Sequence, residues 1–216
     1  MAVPTASPAV LDALADATRR AVLAELVDSG ATATVGELVE ALAERPGGPD
    51  PDGPVDRAAL RTALHHVHLP VLAAAGGVTF DPETGLVAAP SSTPFDRGWA
   101  ARLVADHPEA AYDSTVAALA SERRQVALHE LFVDGPATDR ELAVAVAARE
   151  RGVSPAAVPG SVARVVALSL THTHLPTLAD AGFVARDDGV VSAGATPWRS
   201  DPWVAASPIG AWAAEE

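Results

Sequence analysis

The motif that decides the fold is Leu64-His65-His66-Val67-His68-Leu69-Pro70, because the chain repeats it as Leu170-Thr171-His172-Thr173-His174-Leu175-Pro176. The second motif follows the first by about 105 residues, a period that indicates duplication of a whole structural unit. Composition bias does not explain the match, since the chain has only 7 His and five of them lie in the two motifs. The sequence therefore predicts two tandem copies of one fold.

Further matches lie on both sides of the motif, in the same order in each copy. The shared upstream positions are Arg19, Leu23, Glu25, Leu26 and Gly30 with Arg124, Leu128, Glu130, Leu131 and Gly135. Downstream, Ala75-Gly76 corresponds to Ala181-Gly182, and Thr93-Pro94 to Thr196-Pro197. We therefore divide the chain into a flexible N-terminus (1–9), copy 1 (10–92), a linker helix (93–113), copy 2 (114–194) and a Trp-rich tail (195–216).

The start of each copy predicts two helices. Apolar residues at helical spacing indicate a first helix from about Val10 to Asp28. Thr34 with Glu37, and Thr138 with Glu141, fit the capping box that begins a second helix.

The motif itself lies in a predicted third helix, at about 55–75 in copy 1 and 161–181 in copy 2. A loop rich in Pro, Gly and Asp precedes it in copy 1, and Gly76 and Gly182 end it. Pro70 and Pro176 are interpreted as structural residues that kink this helix, because proline cannot donate a hydrogen bond and crowds the preceding turn. Apolar residues around a turn then predict hairpins at 78–87 and 184–191.

These elements give a fold class that is mainly α with small β-hairpins, in two tandem winged-helix-like domains. The His-x-His-Leu-Pro core and Ala-Gly-x-Val exit, at 64–78 and 170–184, resemble an uncharacterised haloarchaeal winged-helix family of presumed transcription regulators. The resemblance implies a DNA-binding type of fold and supplies no ligand or target. One departure is the connection between the second and third helices, which is longer than the ~3–4-residue turn of a helix-turn-helix.

The charge of the chain bears directly on DNA binding. It has 28 acidic and 15 basic residues, all of the latter Arg, and a formal net charge of -13. Such a surface repels DNA in dilute buffer. At ~1 M salt, however, the Debye length is only about 3 Å, so the repulsion is almost entirely screened. Acidity without Lys is typical of proteins that work in concentrated salt, and it does not exclude DNA as a ligand.

Composition and motifs exclude several other classes. The absence of Cys removes disulfides, thiolate zinc sites and thiol catalysis. The sequence has no Gly-x-Ser-x-Gly, phosphate-binding Gly-Lys-Ser/Thr or His-Glu-x-x-His motif, so we expect neither an enzyme nor a cofactor. Without a long apolar run or a secretory signal, we expect a cytoplasmic protein with no membrane partner.

Helix geometry separates the His positions that the two motifs share. At about 100° per residue, His68 and His174 lie on the apolar face, between leucines. We interpret both as structural residues that donate to a backbone carbonyl. His66 and His172 lie on the outer face, which in a third helix of this kind enters the major groove.

The outer face supplies the candidate DNA contacts. They are Arg57, Arg61, Thr62, His65 and His66 in copy 1, and Arg164, Leu168, Ser169, Thr171 and His172 in copy 2. The arginines have the reach and the donors for phosphate or guanine. A solvated helix face without a ligand explains the same residues, and that alternative stays open.

Other charged positions favour structural roles. Histidines one and two residues apart do not point at a common centre, so we predict no metal site. Arg19-Arg20 and Arg123-Arg124 either touch the DNA backbone or form salt bridges, and the many carboxylates favour salt bridges. The hairpin tips are acidic with Arg186 as the one basic residue, which is not typical of a wing that enters a minor groove.

Two functions follow as hypotheses. The first is a transcription regulator whose two copies bind double-stranded DNA at half-sites about one turn, ~34 Å, apart. The alternative is a protein-interaction module that keeps the scaffold without binding DNA. The acidic hairpin tips favour the alternative, and so does the tail with Trp198, Trp203 and Trp212, which either covers the core or offers a surface for a partner or for self-association.

Overall fold

The computed structural model describes residues 5–28, 32–45, 55–95, 98–194, 200–210 and 212. Within them, one compact unit lies in Ala9–Ala117, and the other combines residues up to Pro8 with those from Ala118 onward. Each unit contains one copy of the repeat. Both are mainly helical with a small antiparallel sheet, which confirms the predicted fold class. None of the described helices is long and apolar enough to cross a membrane.

The elements follow the same order in both copies. Copy 1 and the segment after it contain α1 Pro8–Leu14, α2 Ala17–Asp28, β1 Thr32–Thr34, α3 Val35–Glu44, α4 Arg57–Ala63, α5 Leu69–Ala74, β2 Thr79–Asp81, β3 Leu86–Ala88 and α6 Gly98–Asp106. Copy 2 and the tail contain α7 Asp113–Leu119, α8 Glu122–Val133, β4 Ala137–Thr138, α9 Asp139–Arg151, α10 Gly160–Ser169, α11 Leu175–Asp180, β5 Val184–Asp187, β6 Val190–Ala193 and α12 Pro202–Ala205.

The predicted first helix is two helices, because the chain breaks between Leu14 and Ala17. Asp16 lies at the break and acts as the N-cap of α2, because its side chain accepts the backbone N–H of Arg19 (3.0 Å). Arg19 in turn donates its Nε to the carbonyl of Ala13 (2.6 Å) at the end of α1. The prediction of a continuous helix was wrong, since apolar spacing persists across a break that local hydrogen bonds impose.

Both second helices begin at the predicted capping boxes. The side chain of Thr34 accepts the N–H of Glu37, and Glu37 binds back to the N–H of Thr34. Thr138 and Glu141 form the same pair. Bonds from the backbone and side chain of these threonines lower the pKa of each glutamate. The Pro/Gly/Asp-rich loop that follows in copy 1 lies outside the described residues from 46 to 54.

The third helix contains a π turn in each copy, at Leu64–His68 and Leu170–His174. The N–H of Leu69 reaches back to the carbonyl of Leu64, and that of Leu175 to Leu170, one residue further than in an α-helix. The next residue in both cases is proline, which has no N–H to continue the α pattern. The helix therefore widens by one residue and continues, where the sequence predicted only a kink.

Glycine ends each third helix, as predicted. Gly76 and Gly182 both have φ of 76°, a left-handed conformation that side chains disfavour. The following N–H groups, of Gly77 and Phe183, return to the carbonyls of Leu72 and Leu178 at 2.8 Å. This pattern is a Schellman motif, and it directs the chain into the hairpin.

Each copy builds a three-stranded antiparallel sheet in the order β1-β3-β2 or β4-β6-β5. The strand before the second helix therefore pairs with the returning strand of the hairpin, as in Thr34 opposite Leu86 and Thr138 opposite Val190. This pairing fixes the hairpin beside the second and third helices. Under it lies an aliphatic core in which the leucines of the π turns, Leu64 and Leu170, are fully buried.

The linker and the ends of the chain depart from prediction in part. The linker helix α6 begins at Gly98, because Thr93 instead accepts the N–H of Phe95 in a turn (2.9 Å). Of the N-terminus expected to be flexible, residues 1–4 lie outside the described part, while Ala6 is buried and both its backbone groups bind Gln125. Trp198 also lies outside the described residues. Trp203 and Trp212 are buried and cover the core of the second unit.

Candidate nucleic-acid interface

The outer face of the third helix in copy 1 is open to solvent. Arg57, Arg61, Thr62 and His66 are exposed and His65 is half-buried. The hydroxyl of Thr62 donates to the carbonyl of Ala58 in its own helix (2.9 Å). The face therefore presents two guanidinium groups and an imidazole within about three helical turns.

Copy 2 presents a less polar face at the corresponding positions. Arg164 and His172 are exposed, and Leu168 has 61% of its surface exposed. Ser169 and Thr171 are half-buried and already hydrogen-bonded within the protein. Arg123 donates to the Oγ of Ser169 (3.1 Å), and the hydroxyl of Thr171 donates to Asp139 (3.2 Å). These two candidates thus tie the helix to its neighbours.

His68 and His174 lie on the inner side of the π turns, as predicted, but without the expected carbonyl partner. The Nδ1 of each is buried and has no hydrogen-bond partner among the described residues. That of His68 lies 3.5 Å from the carboxylate of Asp16, a contact too long for a good hydrogen bond. Burial lowers the pKa of both imidazoles, and at His68 the charge of Asp16 opposes part of that effect.

Different chemistry attaches the hairpin to the third helix in the two copies. In copy 2, Asp139 accepts from Thr171 on the third helix and from Arg186 on the hairpin, both at Oδ2. In copy 1 the corresponding positions are Val35, His65 and Phe80.

There the His65 ring meets Phe80 edge-on, with centroids 5.2 Å apart. Its Nε2 lies 3.1 Å from the carbonyl of Pro82, at the tip of the hairpin. Both arrangements hold the hairpin against the third helix.

The arginine pairs of the first helices are structural. Arg20 is fully buried; it donates to the carbonyls of Leu14, His107 and Glu109 and lies 2.8 Å from Asp113. Arg123 binds Glu150 through two bonds of 2.6 and 2.8 Å. These salt bridges agree with the favoured hypothesis. Arg19 and Arg124 instead donate Nε to carbonyls at the ends of α1 and α7.

The model of a domain of unknown function, DUF7344, matches residues 11–88 and again residues 116–192. The chain belongs to the DUF7344 family. The two matches confirm the tandem duplication that the His-Pro motif predicted. No curated protein and no solved structure shows significant similarity to the chain.

The second DUF7344 segment contains a functional candidate that sequence reasoning missed. Arg140 lies near the start of α9 and, with Arg164 of α10, lines a groove of about 470 Å³. The missed signal was a difference between the two DUF7344 segments, because Arg140 corresponds to Gly36. Among the described residues, no three His, Asp or Glu side chains are placed to hold a metal ion.

Proposed function

We propose that this DUF7344 protein is a transcription regulator that binds double-stranded DNA through two winged-helix units. The observation that carries the proposal is the order and pairing of the elements. Each copy has a second and third helix, then a hairpin whose returning strand pairs with a strand before the second helix. This is the arrangement of winged-helix proteins, in which the third helix presents its outer face to the major groove.

The exposed side chains on that face suit a nucleic acid. His66 and His172 occupy matching exposed positions in the two π turns. Arginines lie nearby on each third helix, and π turns are frequent at functional sites. The histidines can read base edges while the arginines hold phosphates or guanine.

A specific observation favours the alternative of a protein-interaction module. Val165 and Leu168 lie within one turn of α10 and have 64% and 61% of their surfaces exposed. Large apolar side chains side by side on a helix are also what a partner protein would bury. Contact of Leu168 with a thymine methyl group gives the same feature a role in DNA binding.

The test is selection of bound sequences from a random duplex library by the full chain, at several KCl concentrations up to ~1 M. We expect an enriched sequence. The double variant His66→Ala/His172→Ala should then lose about 1–3 kcal/mol of discrimination per base contact, a loss seen for that sequence and not for unrelated duplexes.

The matched control is His68→Gln, on the inner side of the same π turn. It should lower the free energy of unfolding and leave the sequence preference intact. Recovery of no enriched sequence at any salt concentration would overturn the proposal and leave the protein-interaction hypothesis.

A further inference from the structure

A groove of the second copy, between α9 and α10, presents two arginines to solvent. Its described lining contains Arg140, Arg164 and no carboxylate, with small or apolar residues such as Val144 and Ala167 between them. Both arginines are exposed, and neither forms an ion pair within the described part of the chain. The net charge of -13 makes such a groove unexpected.

Copy 1 places a cation between its own second and third helices, but from the opposite helix. Gly36 corresponds to Arg140 when the capping boxes are matched, and Arg61 to Ala167 when the π turns are matched. The guanidinium of Arg61 lies over Gly36, with Nη1 3.7 Å from the point that a Cβ at Gly36 would occupy. The second helix of copy 2 thus supplies the charge that the third helix supplies in copy 1.

The other arginine, Arg57 in copy 1 and Arg164 in copy 2, lies on the third helix in both copies but is shifted by one position. Arg57 corresponds to Ala163, and Ala58 to Arg164. Each copy therefore has two such arginines on the pair formed by its second and third helices. They occupy four different positions of the repeat, and none of these positions is Arg in both copies.

Folding stability does not explain this pattern. Exposed arginines contribute little to stability, whether they are unpaired or, like Arg57, form a surface ion pair with Glu40. A packing role would keep the side chain at one position. What the copies share is two positive charges beside the face that we propose contacts DNA. Planar guanidinium groups match the oxygens of a phosphate diester.

We propose that the groove of copy 2 binds the phosphodiester backbone of duplex DNA, with Arg140 and Arg164 as its phosphate contacts. This inference rests on the proposed function and adds where the backbone is held. Copy 2 is the stronger of the two sites. In copy 1 the Nε of Arg57 is bound to Glu40 at 2.9 Å, whereas Val144 occupies the position of Glu40 in copy 2.

The test is the salt dependence of duplex binding by the full chain, measured by fluorescence polarisation. Since each phosphate contact contributes about 0.9 to the slope of log K against log salt, Arg140→Ala/Arg164→Ala should reduce that slope by about 1.8. The sequence preference should remain. Arg57→Ala/Arg61→Ala should reduce the slope by less.

The matched control is Arg102→Ala/Arg151→Ala, which removes the same charge from two exposed arginines that are not part of the groove lining. An equal change of slope in the groove and control variants would overturn this inference and leave DNA binding in place. Absence of salt-dependent duplex binding by the unaltered chain would instead overturn the proposed function, and the inference with it.

Discussion

The two copies hold the hairpin against the third helix with different chemistry. In copy 2 the carboxylate of Asp139 binds Thr171 and Arg186. In copy 1 the same three positions are Val35, which is buried, and the His65 and Phe80 rings in edge-on contact. The hairpin is therefore attached to the third helix in both copies, but by side chains of different chemistry. This difference predicts that the copies respond differently to substitution, salt and pH.

The largest expected difference lies at a buried polar position of the first helices. Arg20 and Gln125 correspond, and both are fully buried against backbone carbonyls. Arg20→Ala leaves three backbone carbonyls and the carboxylate of Asp113 without their partner. We therefore expect a loss of about 3–5 kcal/mol from the free energy of unfolding. Gln125→Ala removes a neutral group and should cost about 1–3 kcal/mol. Chemical denaturation of each variant measures both losses, and equal losses would contradict this ranking.

The second largest difference between the copies is expected in the stability losses from substitutions that weaken the attachment of the hairpin. Val35→Ala opens a cavity in a buried site and should cost about 2 kcal/mol at any salt concentration. Asp139→Ala breaks a half-exposed ion pair and should cost less than about 1 kcal/mol, declining between 0.1 and 1 M KCl. Thermal unfolding at the two salt concentrations tests this. A salt-dependent loss at Val35 would refute the distinction.

The exchange of arginines can be reproduced by design. Arg61→Ala should reduce the salt slope of duplex binding by about 0.9, and Gly36→Arg in the same chain should restore it. A side chain at position 36 has room, because the atoms nearest to its Cβ, in the side chains of Arg61 and Thr34, are 3.7 Å away. Gly36→Ala with Arg61→Ala is the control, since it adds the Cβ without the charge. If Gly36→Arg restores nothing, the two arginines do not serve one site.

The smallest difference concerns His68 and His174, the half-buried histidines of the π turns. The folded state lowers the pKa of His68 and His174 below the ordinary value of 6.5, so it favours the neutral imidazole. Stability from this source is complete above pH 6.5 and is lost as the pH falls toward the lowered pKa. Asp16 opposes the shift at His68, and Ser121 is the residue of copy 2 that corresponds to Asp16.

Asp16→Asn should therefore lower the pKa of His68 further, and Ser121→Asp should raise that of His174. NMR titration of the imidazole protons measures each shift. Movement of both values in the same direction would contradict the assigned role of the carboxylate.

Local sequence chemistry predicted much of the fold and part of the candidate site. The capping boxes, the terminal glycines and the outward position of His66 and His172 depend on contacts within a few residues, which the sequence displays directly. The sequence did not predict the break at Asp16 or the π turns. Both are changes in backbone hydrogen bonding, and the spacing of apolar residues does not show where the α-helical pattern of these bonds is interrupted. The sequence also did not indicate Arg140 as a candidate, because its position opposite α10 depends on how the two helices pack.

By itself, the sequence determined that the protein is a duplication, since a motif of uncommon residues at a long period has no other source. It also determined the order of helices and hairpin within each copy. Only the tertiary structure decided that Ser169 and Thr171 are held by Arg123 and Asp139, and that Arg61 lies over Gly36. The physical reason is distance along the chain: these partners are tens of residues apart, and only packing of the helices and hairpin brings them together.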